Sequence, residues 1–219
     1  MNFASAYTNF EETRSKLEAL YIEVCEMDHG IKDSVKEITL EVGLVQLIAV
    51  ADAYRGDVTA SLLEKHRDKY YIDVMIKVLE EQKETIRAKG KKILHKDLRS
   101  SGIWKERYED ILSKRRRSLT DLAFEKWIDN ISTNFDLTFR LDAMMKAQLA
   151  EVIATRNVLV HSRGIIDQEY LRRSREWYGR NKMVSPSVGS RRKIENQYYK
   201  ESVICISSVV KAIQEELQK

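Results

Sequence analysis

The stretch Asp142-Ala-Met-Met-Lys-Ala-Gln-Leu-Ala-Glu-Val-Ile-Ala-Thr-Arg-Asn-Val-Leu-Val-His-Ser-Arg-Gly164 decides the fold. It reads as a helix. Asp142 is a good N-cap, because its carboxylate can accept the free backbone N–H groups of a first helical turn. Gly164 is a good residue to follow the last turn, because glycine enters the left-handed conformation without a Cβ penalty. Between them Ala147, Leu149, Val152, Ile153, Val158 and Leu159, with their small apolar neighbours, leave little polar face. Such a helix is central and buried. Its last turns nevertheless carry Arg156, Asn157 and His161. A guanidinium and an imidazole in a buried helix are costly unless something pairs with them. A conflict between pattern and burial is where function is to be sought.

Outward from this helix the chain keeps the same character. Its 219 residues suffice for a sizeable core. With 33% charged residues but only 8 Gly and 1 Pro, it has many straight-chain side chains and few breakers, which predicts helices. Cys25 and Cys205 form neither a disulfide framework nor a zinc pattern, so a reducing, cytoplasmic compartment is expected. The N-terminal residues show no basic region followed by an apolar core, and no signal peptide is expected. The longest apolar run, Ile38 to Ala53, is interrupted by Glu41, Gln46 and Asp52; it is too short and too polar to span a bilayer.

Capping boxes place the other helices. Thr8 with Glu11 opens a first helix over about Asn9 to Met27. Ser34 with Glu37 opens a second, to about Tyr54, ended by a turn at Arg55-Gly56-Asp57. Ser61 with Glu64 opens a third, reaching Lys89. Residues 90–102 are expected to form a flexible basic loop. A helix from Ile103 ends at the basic run Lys114, Arg115, Arg116 and Arg117. Ser118 to Asp121 caps the next, which carries Phe124, Trp127 and Ile131. Past Gly164, Asp167 caps a helix through Tyr170 and Trp177. Residues 179–193, with Pro186, two glycines and three serines, read as a second flexible basic loop. A stripe at Tyr199, Val203, Ile206, Val210, Ile213 and Leu217 marks a C-terminal helix. No segment alternates as a strand does. The expectation is one all-α domain over residues 1–219, a bundle of long antiparallel helices.

Asn157 and His161, four apart, share a helical face. Arg156 lies roughly 140° around the helix from His161, so the two straddle a groove rather than stack. Arg156-Asn-Val-Leu-Val-His161 resembles the signature of the HEPN (higher eukaryotes and prokaryotes nucleotide-binding) superfamily, an Arg followed by a polar residue and, a few positions on, a His. The continuation, Ser162-Arg-Gly-Ile-Ile-Asp167-Gln-Glu-Tyr170-Leu171, looks like the extension common in bacterial members. The resemblance covers about Leu149 to Leu171. It implies an all-helical, usually dimeric protein, in many members a metal-independent endoribonuclease of toxin–antitoxin or antiviral defence systems. Some members carry a tyrosine two residues after the histidine, which a partner enzyme modifies; here that position is Arg163, so this mode of neutralisation is not implied.

The chemistry that the resemblance implies suits these residue types. RNA carries its own nucleophile, the 2′-hydroxyl. A histidine exchanges protons near neutral pH, and His161 would act as base toward that hydroxyl or as acid toward the leaving 5′-oxygen. Arg156 would stabilise the charge on a pentacoordinate phosphate, and Asn157 would orient His161 or touch the phosphate. No metal or other cofactor is expected. Arg163, Arg172, Arg173 and the run Lys114 to Arg117 could track an RNA backbone, or simply be a solvated face. A homodimer would complete a composite site from two copies of Arg156 and His161, and a cognate antitoxin or defence partner is expected. The alternative is a non-catalytic module of the same fold that holds a nucleotide or a protein.

Overall fold

The computed structural model describes residues 3–26, 30–66, 103–120 and 122–219. Among them the protein is all-α, with seven α-helices, one π-helical turn and no strand. The helices are α1 (Phe3–Tyr21), α2 (Asp33–Lys65), α3 (Ile103–Thr120), α4 (Phe124–Phe135), α5 (Ala143–His161), α6 (Gln168–Arg180) and α7 (Asn196–Leu217), and the π-turn Ile22–Glu26 continues α1. The chain divides into two compact units, Met1–Val58 with Ala123–Lys219, and Thr59–Leu122. The loop expected over 90–102, and most of the third expected helix, lie outside the described residues.

Several expected boundaries move. Arg55-Gly56-Asp57 is not a turn; α2 runs straight through it to Lys65. A glycine inside a helix costs about 1 kcal/mol. Here Leu44, Leu47, Ile48, Ala51, Tyr54, Val58 and Leu62 continue one buried helical stripe across Gly56, and burying such side chains is worth about 1.5–3 kcal/mol each. Ser61 and Glu64 therefore sit within α2 and open nothing. Thr8 likewise lies inside α1, its hydroxyl donating to the Ala4 carbonyl. The run Lys114 to Arg117 does not end a helix: α3 continues to Thr120, and α4 begins after Ala123 with no side-chain cap.

In the larger unit α5 is central. It packs on α6 most extensively, and also on α7 and α4. Leu149, Val152, Ala154 and Val158 are buried, as the apolar pattern predicts. On α1, Ala6 and Phe10 are buried, while Leu20 is 48% exposed. The amphipathic stripe of α7 is inward, with Tyr199, Ile206, Val210 and Ile213 almost wholly covered. Gly43 explains how closely α2 approaches α7: a Cβ there would stand 3.0 Å from the Tyr199 hydroxyl. Tyr54 on α2 donates to Gln214 of α7 across 3.2 Å. Cys25 and Cys205 are buried and unpaired. No described helix is long and apolar enough to cross a membrane.

Candidate functional site

Both ends of α5 are built as its sequence predicts, with one shift. The Asp142 carboxylate accepts the Met145 N–H at 2.7 Å. At the far end Ser162 is the C-cap, and the left-handed residues are Arg163 (φ 51°) and Gly164 (φ 79°). The turn thus starts one residue before the expected glycine. A non-glycine residue held there costs about 1–3 kcal/mol, and such strain gathers at functional sites. The N–H groups of Ser162 and Gly164 converge on the Val158 carbonyl, each at 3.0 Å. Asp167 then caps α6, accepting the Tyr170 N–H at 2.7 Å.

The loop expected to be flexible instead grips this turn. The helix α6 takes up Gly179 and Arg180, and the residues beyond return antiparallel to 164–166. Ile166 N–H donates to Ser190 O (2.9 Å), Gly189 N–H to Ile166 O (2.9 Å) and Arg192 N–H to Gly164 O (2.7 Å). Arg191 also reaches Glu41 of α2 at 3.2 Å.

The turn, α5 and α6 enclose an open hollow of about 270 Å³. Its floor is apolar, from the buried Ala154, Val158 and Tyr170. Asn157 and His161 of α5 with the C-cap Ser162 form one wall; Asp167, Glu169 and Arg173 form the other. The His161 ring is exposed and has no partner among the described residues. Arg156 is off the hollow but tied to it: its Nη1 donates to Asn157 Oδ1 at 3.0 Å. Its Nε is buried and finds no acceptor among the described residues. Asn157 and His161 therefore share a face and Arg156 flanks it, as the helical spacing predicts.

The remaining basic candidates scatter. Arg173 lines the hollow, paired through Nε with Glu169 at 2.7 Å. Arg172 binds the same carboxylate at 2.6 Å but points away to solvent. These two guanidiniums hold the Glu169 carboxyl down to about 2. Arg163 is exposed on the strained turn. Lys114 to Arg117 belong to the other compact unit and have no part in the hollow; Lys114 pairs with Asp110 at 2.7 Å. Trp177 packs half-buried on a cluster of Ala154, Val158, Ile166, Tyr170 and Tyr178, so it is core. Among the described residues no group of His, Cys, Asp and Glu could hold a metal ion.

One residue that the pattern of the chain does not reveal dominates the middle of α5. Glu151 is fully buried, 0% exposed. Its Oε1 accepts from Thr155 (2.9 Å), the Tyr170 hydroxyl (2.7 Å) and Arg192 Nη2 (3.1 Å); its Oε2 accepts from the Tyr198 hydroxyl (2.7 Å). Tyr178 extends the network through Tyr170 at 2.9 Å. The Arg192 guanidinium lies 4.2 Å over the Tyr198 ring. Burial, then the Glu151 charge, push the Tyr170 and Tyr198 hydroxyls above their ordinary range. Burial alone would depress Arg192, but Tyr198 and Glu151 beside it hold it above the usual arginine value. Four donors on one carboxylate are what a buried charge requires. The one sequence signal for Glu151 is its place as a lone carboxylate against the run Val152-Ile153-Ala154.

No protein-family model, curated protein or solved structure matches the chain. The functional reading therefore rests on the site.

Proposed function

We propose that the chain is a metal-independent endoribonuclease of the HEPN type, acting as a toxin or antiviral effector in the cytoplasm. One observation carries the reading. His161 stands exposed and unpartnered among the described residues, at the rim of a hollow, while Asn157 beside it is tethered to Arg156. A structural histidine is satisfied by a carbonyl or an acid; this one is free to exchange a proton with a ligand. Arg156 keeps its charge beside that face, its Nη1 holding Asn157.

In this reading the RNA 2′-hydroxyl attacks the adjacent phosphorus and its proton passes to an imidazole. The bond to the 5′-oxygen breaks, and that oxygen takes a proton. The products are a 2′,3′-cyclic phosphate and a 5′-hydroxyl. One imidazole can do one of these tasks at a time, and a second copy of the chain supplies the other in a homodimer. Val160 (47% exposed) and Ile165 (42% exposed) flank His161 as an apolar rim on which that copy can rest. Arg156, with Arg163 on the turn beyond His161, meets the negative charge. A cognate inhibitor would cover the same face.

The test is incubation with total RNA in EDTA, wild type against His161→Ala, followed by end-group analysis. The expected result is cyclic-phosphate ends from the wild type and a loss of about 10²–10⁴-fold in rate for the variant, with the melting temperature unchanged. Equal cleavage by both proteins rejects the reading. The second reading, a non-catalytic module, is favoured by the two carboxylates in the hollow. It predicts thermal stabilisation by nucleotides with no turnover of RNA.

A further inference from the structure

The hollow beside His161 is lined unlike a phosphate site. Asp167 and Glu169 bring two negative charges, and Arg173, the one arginine or lysine of the lining, already spends its Nε on Glu169. A phosphate entering here would meet like charge at close range. Its natural place is outside the hollow, on the Arg156 side of Asn157. What the hollow offers is a small apolar floor and a few directed polar atoms. Tyr170 lines it, but the Tyr170 hydroxyl is committed inward to Glu151 and Tyr178. The side chains of Ala154 and Val158 complete that floor.

Two residues of the lining supply a donor and an acceptor. Asn157 Oδ1 is occupied by Arg156, which fixes the amide and leaves Nδ2 as a donor. Asp167 Oδ1 is occupied by the Tyr170 N–H, which leaves Oδ2 as an acceptor with no partner among the described residues. Glu169 offers less, since Arg172 and Arg173 take both its oxygens. An apolar floor between walls that bear a donor and an acceptor suits a neutral planar heterocycle that carries the complementary pair. Nucleobases are of this kind, and single-stranded RNA presents them unstacked for reading by side chains.

We propose that this hollow is a nucleobase subsite, in which Asn157 Nδ2 and Asp167 Oδ2 read the hydrogen-bonding edge of the base attached to the phosphate that His161 attends. The inference rests on the ribonuclease reading for the identity of the ligand. It adds which part of the nucleotide enters the hollow and which two residues set the preference among bases. Asp167 acts both as the cap of α6 and as the reader, so the test must separate these roles. Asn also caps helices well. Asp167→Asn therefore keeps the cap while it replaces a pure acceptor by an amide that can donate.

The experiment is calorimetric titration of the four nucleoside 3′-monophosphates and of ribose 3-phosphate into wild type and Asp167→Asn, with melting temperatures as the check on folding. The wild type is expected to bind at least one nucleotide about tenfold or more tighter than ribose 3-phosphate, since a base held on its face and edge contributes on that scale. The variant is expected to keep its melting temperature, lose about tenfold toward the preferred base and change the order of the four. Equal affinity for ribose 3-phosphate and every nucleotide, an unchanged order in the variant, or no saturable binding overturns the proposal. None of these readouts requires RNA cleavage. Base-dependent binding without turnover would sink the ribonuclease reading and leave the subsite standing; turnover through His161 with no base dependence would do the reverse.

Discussion

Glu151 and His161 stand on the same helix, roughly three turns apart, and meet opposite fates. Glu151 is wholly enclosed, and both of its oxygens are taken by donors from α5, α6, α7 and the segment before α7. His161 is exposed and has no partner among the described residues. Both are ionisable groups in a stretch that looks uniformly apolar. Isolating a charge in the interior costs several kcal/mol, so a buried carboxylate persists only where its donors are all in place. An exposed imidazole is satisfied by water at no such cost, so the fold does not depend on His161 and its ring is open to a ligand. The difference separates a residue that holds the fold from one available to a ligand.

The largest effect expected from this contrast is at Glu151. Glu151→Ala leaves the buried Arg192 guanidinium without its carboxylate and takes one acceptor from each of three hydroxyls, and breaking a buried pair in this way costs about 3–5 kcal/mol. Against a typical total of about 5–15 kcal/mol, that is a large share of the stability. Urea unfolding followed by circular dichroism should show the midpoint fall accordingly. A loss no greater than that of a surface substitution would mean that the network is ornamental, and the contrast would fail at its strong end. The expected loss should also disturb His161 indirectly, because Arg192 is the residue whose N–H holds the Gly164 carbonyl of the turn.

A smaller effect sharpens the same point through pH. The folded state holds Tyr170, Tyr178 and Tyr198 as neutral phenols, with burial raising each above the ordinary value near 10. The unfolded chain releases those protons near pH 10. Stability from these groups is therefore complete below that pH and lost as pH rises beyond it. Unfolding midpoints should begin to drop near pH 10 and fall ever more steeply above it. Tyr198→Phe should flatten that slope, and at neutral pH should cost about 1.5–3 kcal/mol for the bond it makes to a charged acceptor. An unchanged alkaline slope would mean that Tyr198 is open to water.

What could be read from the chain follows from the range of each interaction. The caps at Asp142 and Asp167 were legible because each bonds an N–H three residues on. The face shared by Asn157 and His161 was legible because helical pitch fixes it; the expected groove between Arg156 and His161 is not what forms, since the hollow opens on the Asn157 side and Arg156 stands off it. The continuation of α2 past Gly56 was not, since local propensity argues for a turn and only the burial of Val58 and Leu62 overrules it. Glu151 was invisible for a similar reason. Its partners Arg192 and Tyr198 lie far along the chain, and no spacing rule links them. The return of residues 189–192 onto 164–166 hides in a stretch whose glycines, serines and proline suggest only a loop. The acceptor facing the hollow was masked differently: Asp167 was legible as a cap, and its second oxygen shows a use only when the opposite wall is known.

A stability change smaller than those at Glu151 and Tyr198 is expected at Arg156, where the residue bears more on function. Arg156→Met keeps much of the aliphatic stem that packs on the helix. It removes the hydrogen bond to Asn157, a contribution of about 1 kcal/mol, and also removes a buried Nε that has no acceptor among the described residues. These two changes oppose each other and are similar in size, so the melting temperature should stay within a degree or two of wild type, equivalent to about 0.5 kcal/mol. RNA cleavage should fall by about 10²–10³-fold, the loss typical of one positioned donor to a developing charge. A loss of stability above about 2 kcal/mol, with cleavage falling only in proportion to the folded fraction, would place Arg156 beside Glu151 as a structural charge. His161 would then have no cationic neighbour reserved for a ligand on its own helix, and the division of α5 into a closed middle and an available end would no longer hold.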